Sequence, residues 1–541
     1  MQLKIVGHTL AETTSIDSLN YVKNHENYLS IKREIDSLQK ILYKIGYIEN
    51  ELKNIHRVND SVFLTEIHLK KKYTSIFIYY DKSLFNPKLL NVISKNVFDT
   101  YFTIPFIELE KTLHYINSKI SEKGFPFSKL HLFNIEIDNK SNLKANLILE
   151  TTNQKRVIND IIIKGYNKFP SSYLIHYLKI KPNQTFNLNV IKTKTEQLNN
   201  LKFASEIKSP EVLFSKDSTT LYLYLQKTKS NSFDGFLGFG TNEDTNKLQF
   251  DGYLNLNLTN NLNYGESFKL LYKSDESDQK TFETNLSLPY LFKSPIGLDF
   301  ALRIFKRDSS FTTVNQGFKI HYQINTKHKI YSGISSTQSS NLLNISTSSN
   351  IYDYKTSYFT FAYQYLKNQN LNSLFPVNSL FYLESNFGRR TESSQQEKQS
   401  LLNIDAFKIL KLDIKNSLYF RINGAALNSK TYFENELILF GGINSIRGFE
   451  ENSIFATSYG LLNSEYRFLL NNSIYIHTIT DWAYFENKIL NINEKLLGIG
   501  FGFGILTKTG LLKFNYANGK TENTPFKLSN SKIHLSLSAN F

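Results

Sequence analysis

The chain has 541 residues and contains no cysteine, one tryptophan and one methionine. Without cysteine it can have neither a disulfide framework nor a thiolate metal site. It also lacks any uninterrupted apolar run near the roughly 18 residues that a membrane helix needs, which excludes a helical membrane protein. A membrane β-barrel is not excluded. Its strands alternate lipid-facing and lumen-facing residues, so their average hydropathy does not indicate a membrane protein.

Enzyme signatures are missing too. None of the 11 histidines belongs to an H-E-x-x-H motif or forms an i, i+4 pair that could present zinc on a helix. A P-loop and a G-x-S-x-G nucleophile elbow are also absent from the sequence. We therefore expect a protein that is not an enzyme and that holds neither a cofactor nor a metal.

Positive charge is abundant but scattered. The net charge is +15, yet basic residues form only short runs such as Lys70-Lys71-Lys72, and no helix-turn-helix or RNA-recognition signature is present. We therefore expect no nucleic-acid partner and assign the charge to attraction of anionic lipid or acidic clients. The 33 tyrosines and 42 phenylalanines suit the aromatic girdles of a membrane barrel, although a large soluble β protein could also carry them.

The start of the chain shows no targeting segment. Met1-Gln2 is followed almost at once by the strand-like Leu3-Lys4-Ile5-Val6 rather than by an apolar targeting core. If the chain is exported, we expect its export signal to have been removed from this sequence.

Residues 1 to 229 mix helices and strands. Apolar residues at helical spacing predict helices over Ile31 to Ile45 and Phe106 to Ile120. Alternation predicts strands over Phe63 to Leu69 and Leu143 to Leu149.

Three strand-like openings, about 70 to 85 residues apart, indicate an internal repeat. They are Lys4-Ile5-Val6, Ser75-Ile76-Phe77-Ile78 and Ile161-Ile162-Ile163-Lys164-Gly165. Gly46 and Gly124 close a helix in the first two copies, where glycine supplies the positive φ of a helix end. The pattern predicts strand–helix–helix–strand–strand units over residues 1–74, 75–156 and 157–229, with a single α+β domain as the alternative.

From residue 230 to residue 541 helical periodicity disappears and short alternating segments follow one another. In Lys532 to Phe541 the odd positions are apolar and the even positions are polar. At about 19 residues per strand and connection, the segment predicts roughly 16 strands, whose interior is too wide for side chains to fill. The predicted fold class is therefore α+β repeats followed by an all-β transmembrane barrel of about 16 antiparallel strands.

The most specific stretch is Phe440 to Phe449, which lies between strands predicted over Thr431 to Phe440 and Ser458 to Leu469. It ends in Ile446-Arg447-Gly448-Phe449. Acids follow on the next two predicted strands, where Glu465 shares a face with Asn463 and Arg467, and Asp481 shares one with His477 and Ile479. A short turn at Asn471-Asn472 pairs these strands and brings both carboxylates to the lumen face.

At these residues the chain resembles the BamA/TamA superfamily of outer-membrane assembly and translocation proteins, whose sixth extracellular loop carries a [V/I]-R-G-[F/Y] motif. The resemblance implies that the loop folds back into the lumen and that Arg447 pairs with Glu465 and Asp481. A guanidinium suits this role because it engages carboxylates bidentately without losing its charge. In the alternative interpretation, the two acids are ordinary lumen charges facing water.

The superfamily's inner-wall pattern is closer to F-x-D-x-G. Here the matching positions are Ile479, Asp481 and Ala483, so the acid is kept while its flanks differ. The terminal Phe541, after alternating apolar positions, resembles the β-signal of outer-membrane proteins. The three amino-terminal units resemble POTRA domains, and their number favours the TamA-like branch.

The barrel seam is the expected origin of the activity. The first strand, with Phe233 and Phe236, must meet the last, with Ile533, Leu535, Leu537 and Phe541. If their pairing is short, unsatisfied backbone groups would accept a client strand by β-augmentation. The repeats would capture clients through exposed edges such as Val62 to Leu69.

The resemblance implies a factor that inserts or exports proteins at the outer membrane of a Gram-negative bacterium, with its repeats in the periplasm. Expected partners are unfolded outer-membrane or secreted client proteins, outer-membrane lipids and a periplasm-spanning protein. Two alternatives stay open. One is a two-partner secretion transporter that exports one dedicated polypeptide through the lumen, and the other is a passive pore.

Overall fold

The structure is a computed structural model, and it describes residues 1–138, 141–151, 154–241, 248–274, 279–343, 350–369, 374–507, 510–522 and 531–540. Two compact units are distinguished within it. The first comprises Met1–Asn159, Pro182–Val190 and Phe214–Thr219, and the second comprises Asp160–Lys181, Ile191–Leu213 and Thr220–Phe541. Among the described residues, no helix is both long enough and apolar enough to cross a membrane.

The first sheet packs against two helices. Its elements are β1 (Gln2–Gly7), α1 (Leu10–Asp17), α2 (Tyr28–Lys44), β2 (Glu51–Leu52), β3 (His56–Arg57) and β4 (Val62–His68). The helix predicted from Ile31 begins earlier, at Tyr28, because the Asn27 side chain caps the amide of Ser30. It buries Ile31, Ile35, Leu38 and Leu42, whereas Ile41 lies on the exposed side.

The prediction that Val62 to Leu69 forms an exposed edge is wrong. Strand β4 lies in the middle of its sheet, with β1 parallel on one side and β2 and β3 antiparallel on the other. The physical reason is burial: Phe63, Thr65 and Ile67 alternate into the core, and a strand with so much buried surface is stabilised most between two neighbours.

The second sheet has five strands in the order β6-β7-β5-β9-β8. Its elements are β5 (Ser75–Tyr79), α3 (Pro87–Leu90), β6 (Asn96–Val97), β7 (Tyr101–Pro105), α4 (Leu109–Glu122), β8 (Lys129–Asp138) and β9 (Asn142–Glu150). The helix predicted from Phe106 begins as a 3-10 turn, Phe106–Glu108, and becomes α-helical at Leu109. As predicted, Gly46 and Gly124 adopt positive φ, at 106° and 100°.

Strand β8, of 10 residues, lies at one edge of this sheet. It pairs with β9 on one side, with a bulge between Phe133 and Glu136. Three of its apolar side chains, Phe133, Ile135 and Ile137, are more than half exposed. An edge strand with exposed apolar side chains is a template on which another chain can pair.

A third sheet, in the order β10-β12-β11, has β10 and β12 parallel. Its elements are β10 (Asp160–Lys164), α5 (Leu188–Thr195), β11 (Ala204–Phe214) and β12 (Thr219–Lys227). A π-helical turn, Tyr173–Tyr177, stands where the first helix of the repeat was expected, and a 3-10 helix, Glu196–Asn200, follows α5.

The remaining strands form a closed barrel and one small hairpin. The strands are β13 (Ser232–Thr241), β14 (Leu248–Thr259), β15 (Ser267–Ser274), β16 (Gln279–Leu288), β17 (Ile296–Arg307), β18 (Phe311–Gln323), β19 (His328–Asn341), β20 (Tyr354–Asn368), β21 (Val377–Glu392), β22 (Gln395–Lys411), β23 (Asn416–Asn428), β24 (Ile438–Phe440), β25 (Ile454–Ala456), β26 (Ser458–Leu469), β27 (Ile474–Asn487), β28 (Ile492–Leu506), β29 (Gly510–Thr521) and β30 (Ser531–Asn540). All except β24 and β25 belong to the barrel, which makes sixteen antiparallel strands. Short 3-10 helices lie at Leu291–Lys293 and Glu434–Glu436.

The strand predicted over Thr431 to Phe440 is largely wrong. Only Ile438–Phe440 is extended, as β24, and it pairs with β25 rather than with the barrel. Glu434, Asn435 and Glu436 instead form a 3-10 helix whose side chains bond to residues of the barrel wall. The strand predicted over Ser458 to Leu469 matches β26.

The barrel is apolar outside and polar inside. On β20, Phe359 and Phe361 point outward and are exposed, whereas Thr356 and Thr360, on the opposite face of the strand, are buried toward the interior. The same inversion holds on β27, where Trp482 and Tyr484 face outward and Asp481 faces inward. A sheet with this polarity is stable only if lipid covers its outer face.

Replacing Phe359 by arginine tests this polarity. The charge would enter hydrocarbon, so the free energy of unfolding should fall by about 2–4 kcal/mol near the midplane. Urea titration in liposomes, followed by the heat-modifiable migration of the folded barrel, measures the change. Phe133→Arg is the matched control on β8, outside the barrel, and an equal loss of barrel stability there would contradict the assignment of faces.

Candidate functional site

The candidate site is the segment between β23 and β26, residues 429–457, which we call the lumen loop. Its two legs meet in the hairpin of β24 and β25, and its tip carries Ile446-Arg447-Gly448-Phe449. Phe440 on β24 is buried and stacks on Tyr459 of the barrel wall at a centroid distance of 4.3 Å. The loop is therefore packed inside the barrel.

Arg447 lies between the two acids that the sequence singled out. Its Nε donates to Asp481 Oδ2 at 2.8 Å and its Nη2 donates to Asp481 Oδ1 at 2.6 Å, which is a bidentate pair. The backbone amide of Arg447 also donates to Asp481 Oδ2, at 3.0 Å. Nη1 donates to Glu465 Oε1. Asp481 has no solvent-exposed surface, so its charge depends on this arginine.

Glu465 is shared between two arginines. Its second oxygen, Oε2, accepts from Nε of Arg467 at 2.7 Å. The Arg467 guanidinium in turn stacks on the rings of Tyr419 and Phe375, 4.0 and 4.5 Å from their centroids. Two arginines and two carboxylates thus form a buried cluster without net charge, in which each charge has a partner.

The backbone of the motif at residues 446–449 lies against the barrel wall at positions that are occupied by glycine. A Cβ on Gly498 of β28 would lie 2.3 Å from the carbonyl oxygen of Arg447, and one on Gly519 of β29 would lie 2.5 Å from that of Gly448. Gly448 itself has a φ of 91°, which an L side chain rarely adopts. Ile446 beside it is fully buried.

Further polar contacts hold the loop tip along the inner wall. Asn463 Nδ2 donates to the carbonyl of Ser445 at 2.9 Å, and Arg421 Nη1 donates to that of Asn444 at 2.7 Å. Beyond the motif, Glu450 pairs with Lys532 of β30 at 2.8 Å, and Glu451 lies 3.5 Å from Lys273 of β15. The tip therefore has contacts on both sides of the junction between β30 and β13.

That junction, the barrel seam, is short. Among the described residues, β13 pairs with β30 at Ser232↔Asn540 and Phe233↔Ala539, whereas β29 pairs with β30 at nine positions and β13 with β14 at ten. Phe233 is exposed on the outer face, as are Ile533 and Leu535. The side chains of Phe236 and Leu537, and all of Phe541, lie outside the described residues.

Within the second unit, residues 160–181 rest on two turns of the barrel. Tyr166 accepts from Asn260 Nδ2 at 2.7 Å and donates to Asn263 Oδ1 at 2.9 Å. Tyr173 donates to the carbonyl of Gly265 at 3.1 Å and meets Tyr290 edge to face at 4.9 Å. Burial raises the pKa of Tyr177 to about 12 and that of Tyr173 well above its usual value, so these hydroxyls stay protonated.

Sequence reasoning missed several residues of the site. Arg421 donates to a backbone carbonyl of the loop and Gly519 lies close to Gly448, and no local sequence pattern encodes either contact. Gly498 had a visible signal, since glycine at every second position from Gly498 to Gly504 marks one strand face without side chains. In the described part of the chain, no three His, Asp or Glu residues are placed to hold a metal.

Comparison with known proteins agrees with this architecture. Residues 156–226 match the family model of POTRA, the surface antigen variable number repeat. BamA from Haemophilus ducreyi lacking POTRA domains 1–3 superimposes with a TM-score of 0.51 at 14% identity, over 86% of this chain and 99% of that one. No match was found among curated protein sequences.

Two further solved structures are similar over most of their length. CdiB from Acinetobacter baumannii has a TM-score of 0.53 at 16% identity and covers 95% of this chain and 98% of its own. CdiB from Escherichia coli has a TM-score of 0.52 at 13% identity and covers 87% and 90%. Identities this low establish the fold, which is a POTRA domain followed by a sixteen-stranded barrel of the outer-membrane type. The predicted fold class is confirmed.

Substituting Arg447 by alanine should release the loop tip. Asp481 would then be buried without its partner, which should destabilise the packed position of the lumen loop by about 3–5 kcal/mol. Because the chain has no cysteine, Ser445→Cys is a unique probe, and its maleimide labelling should accelerate by more than about tenfold, since about 1.4 kcal/mol corresponds to each factor of ten. Arg57→Ala, at an exposed pair with Asp60, should leave labelling unchanged. Slow labelling in Arg447→Ala would refute the anchoring role.

Gly498→Ala should displace the same motif from the other side. The new methyl group would clash with the Arg447 carbonyl, while Gly460→Ala on β26 would meet nothing within 4 Å. The Ser445→Cys labelling assay should therefore show release for Gly498→Ala and protection for Gly460→Ala. Equal protection in both variants would mean that the loop does not lie against β28 in solution.

Proposed function

We propose that this protein is an outer-membrane assembly factor of the BamA/TamA superfamily that inserts client proteins through its barrel seam. The observation that carries the proposal is that the described residues form two ladder pairs at the seam but nine and ten at the ladders beside it. In hydrocarbon each unsatisfied backbone group costs several kcal/mol, so a short seam is the place where a client strand gains most by pairing.

The amino-terminal sheets are suited to capture clients before insertion. The edge that we assign to this role is β8 rather than Val62 to Leu69, because β4 is paired on both sides. Among the described residues β8 pairs with a strand on one side only, and its exposed Phe133, Ile135 and Ile137 add apolar contacts along that edge. A client would be held there in extended form by main-chain hydrogen bonds, whatever its sequence.

This assignment places the barrel in the outer membrane of a Gram-negative bacterium and the repeats in the periplasm. Because nucleotide is not available there, client folding itself would drive insertion. Partners would be unfolded outer-membrane or secreted client proteins, outer-membrane lipids and a periplasm-spanning protein. We retain the TamA-like branch as a hypothesis that rests on three repeats, of which residues 156–226 match the POTRA model.

Dedicated export is the second candidate. It is favoured by the likeness to CdiB, a two-partner secretion protein, which is as close as the likeness to BamA. The two functions differ in route: insertion uses the seam, whereas export threads one polypeptide through the lumen. A passive pore would need neither the amino-terminal sheets nor the anchored loop.

A disulfide across the seam distinguishes these functions. Phe233 and Ala539 are cross-strand partners, so Phe233→Cys/Ala539→Cys can join β13 to β30. In a strain depleted of the wild-type protein, the locked variant should fail to maintain several unrelated outer-membrane barrels, and purified locked protein should insert clients into liposomes only after reduction.

The matched control is Tyr516→Cys/Ile533→Cys, which joins β29 to β30 beside the seam. It should retain activity in the oxidised state. Loss of one secreted polypeptide with an unchanged outer membrane would assign the protein to dedicated export. Full insertion by the locked variant would refute the seam route.

A further inference from the structure

The proximal leg of the lumen loop, residues 429–437, is held by a second buried arginine. Arg390 on β21 is only 3% exposed. Its Nη1 donates to Glu436 Oε2 at 2.7 Å and to the carbonyl of Thr431 at 3.2 Å, and its Nη2 donates to Thr431 Oγ1 at 2.6 Å. The guanidinium also lies 3.6 Å from the ring centroid of Phe433.

Arg390 is tied to the wall by the neighbouring strand. Its Nη2 donates to Glu397 Oε2 on β22 at 2.9 Å. The other oxygen of Glu397 accepts from the backbone amide of Thr431 at 2.8 Å and from Ser429 Oγ at 2.6 Å. One arginine and one glutamate of the wall thus hold both the backbone and the side chains of the leg.

Contacts at the end of the leg extend the anchor to further strands. Asn435 Nδ2 donates to Ser339 Oγ on β19 at 2.8 Å, and the Asn435 carbonyl accepts from the Tyr354 hydroxyl on β20 at 3.1 Å. Arg307 on β17 donates to Glu434 Oε1 at 3.1 Å. The leg is therefore attached from the fifth to the tenth strand of the ring.

The two anchors hold different parts of the barrel. Arg447 is bound by β26 and β27, the twelfth and thirteenth strands, and the tip continues to β30 and, past the seam, to β15. The charges of the two buried arginine clusters are also reversed. At Arg447 a loop arginine meets wall acids, whereas at the proximal leg wall arginines meet the loop acids Glu434 and Glu436.

We propose that Arg390 is a positioning residue that, together with Arg447, makes the lumen loop a strut fixed at both ends across the lumen. The strut stays in place while the protein works, so clients leave through the seam and not through the lumen. A loop with one anchor could swing aside, but a loop with two must break two buried charge clusters at once. This inference rests on the proposed function.

Channel recording tests the strut without any client. In planar bilayers, Arg390→Ala should raise the frequency of large-conductance openings by about tenfold or more, the factor that about 1.4 kcal/mol of lost anchoring gives. Arg390→Lys should give an intermediate frequency of large-conductance openings. Lysine keeps the positive charge but lacks the planar guanidinium that donates to several partners at once. Arg389→Ala is the matched control, since the neighbouring Arg389 is exposed and bonded to Gln396 instead. Wild-type conductance in Arg390→Ala would overturn the anchoring role.

A reversible tether tests whether the strut stays in place. Ser339→Cys/Asn435→Cys, joined by a short bis-thiosulfonate linker that reductant cleaves, fixes the proximal leg to β19 in the otherwise cysteine-free chain. The tethered protein should insert barrel clients into liposomes within about twofold of the cleaved form. A tenfold loss that cleavage restores would overturn the fixed strut.

The two arms separate this inference from the proposed function. If the cleaved form inserts no client at all, the assembly function fails, while the channel recordings still decide whether Arg390 closes the lumen. If clients are exported through the lumen instead, the tethered form will block export until the linker is cleaved, and the strut proposal is then wrong. Retained insertion together with leaky Arg390→Ala channels supports both.

Discussion

Each backbone N–H and C=O group of a sheet in hydrocarbon needs a hydrogen-bond partner, and the rest of this structure depends on that constraint. It requires the sheet to close, and sixteen strands close around a lumen too wide for wall side chains to fill. The lumen must then hold either water or a polypeptide segment. The lumen loop, residues 429–457, is such a segment. In the described part of the barrel this constraint is met least well at the seam, which has two ladder pairs where the ladders beside it have nine and ten.

The lumen loop is held by charge rather than by an apolar core. Arg447 and Arg390 each sit among carboxylates in buried clusters, where the loss of one partner leaves the others uncompensated. Such clusters add little stability compared with apolar packing, but they demand one geometry. Glycine on the wall, at Gly498, completes the fit by leaving room for the Arg447 carbonyl.

The sequence allowed the fold to be predicted, because alternation, helical spacing and glycine at helix ends are local signals. Asp481 and Glu465 were placed beside Arg447 through a resemblance plus alternation, and the structure has both within hydrogen-bond distance. Strand order is different: that β4 is central depends on which strands pair, and this is not encoded in Val62 to Leu69. Arg390 was missed for the same reason, since its partners lie 41 and 46 positions away.

The seating of residues 160–181 on the barrel has a mechanical consequence. Tyr166 and Tyr173 are bonded to the turn between β14 and β15, and Tyr290, in the turn between β16 and β17, packs on the Tyr173 ring. Those strands are the second to fifth of the ring, next to β13. These contacts therefore join the segment to the β13 side of the seam, and none of them reaches β30 on the other side. A force applied to residues 160–181 would act through these contacts on the β13 side of the seam alone.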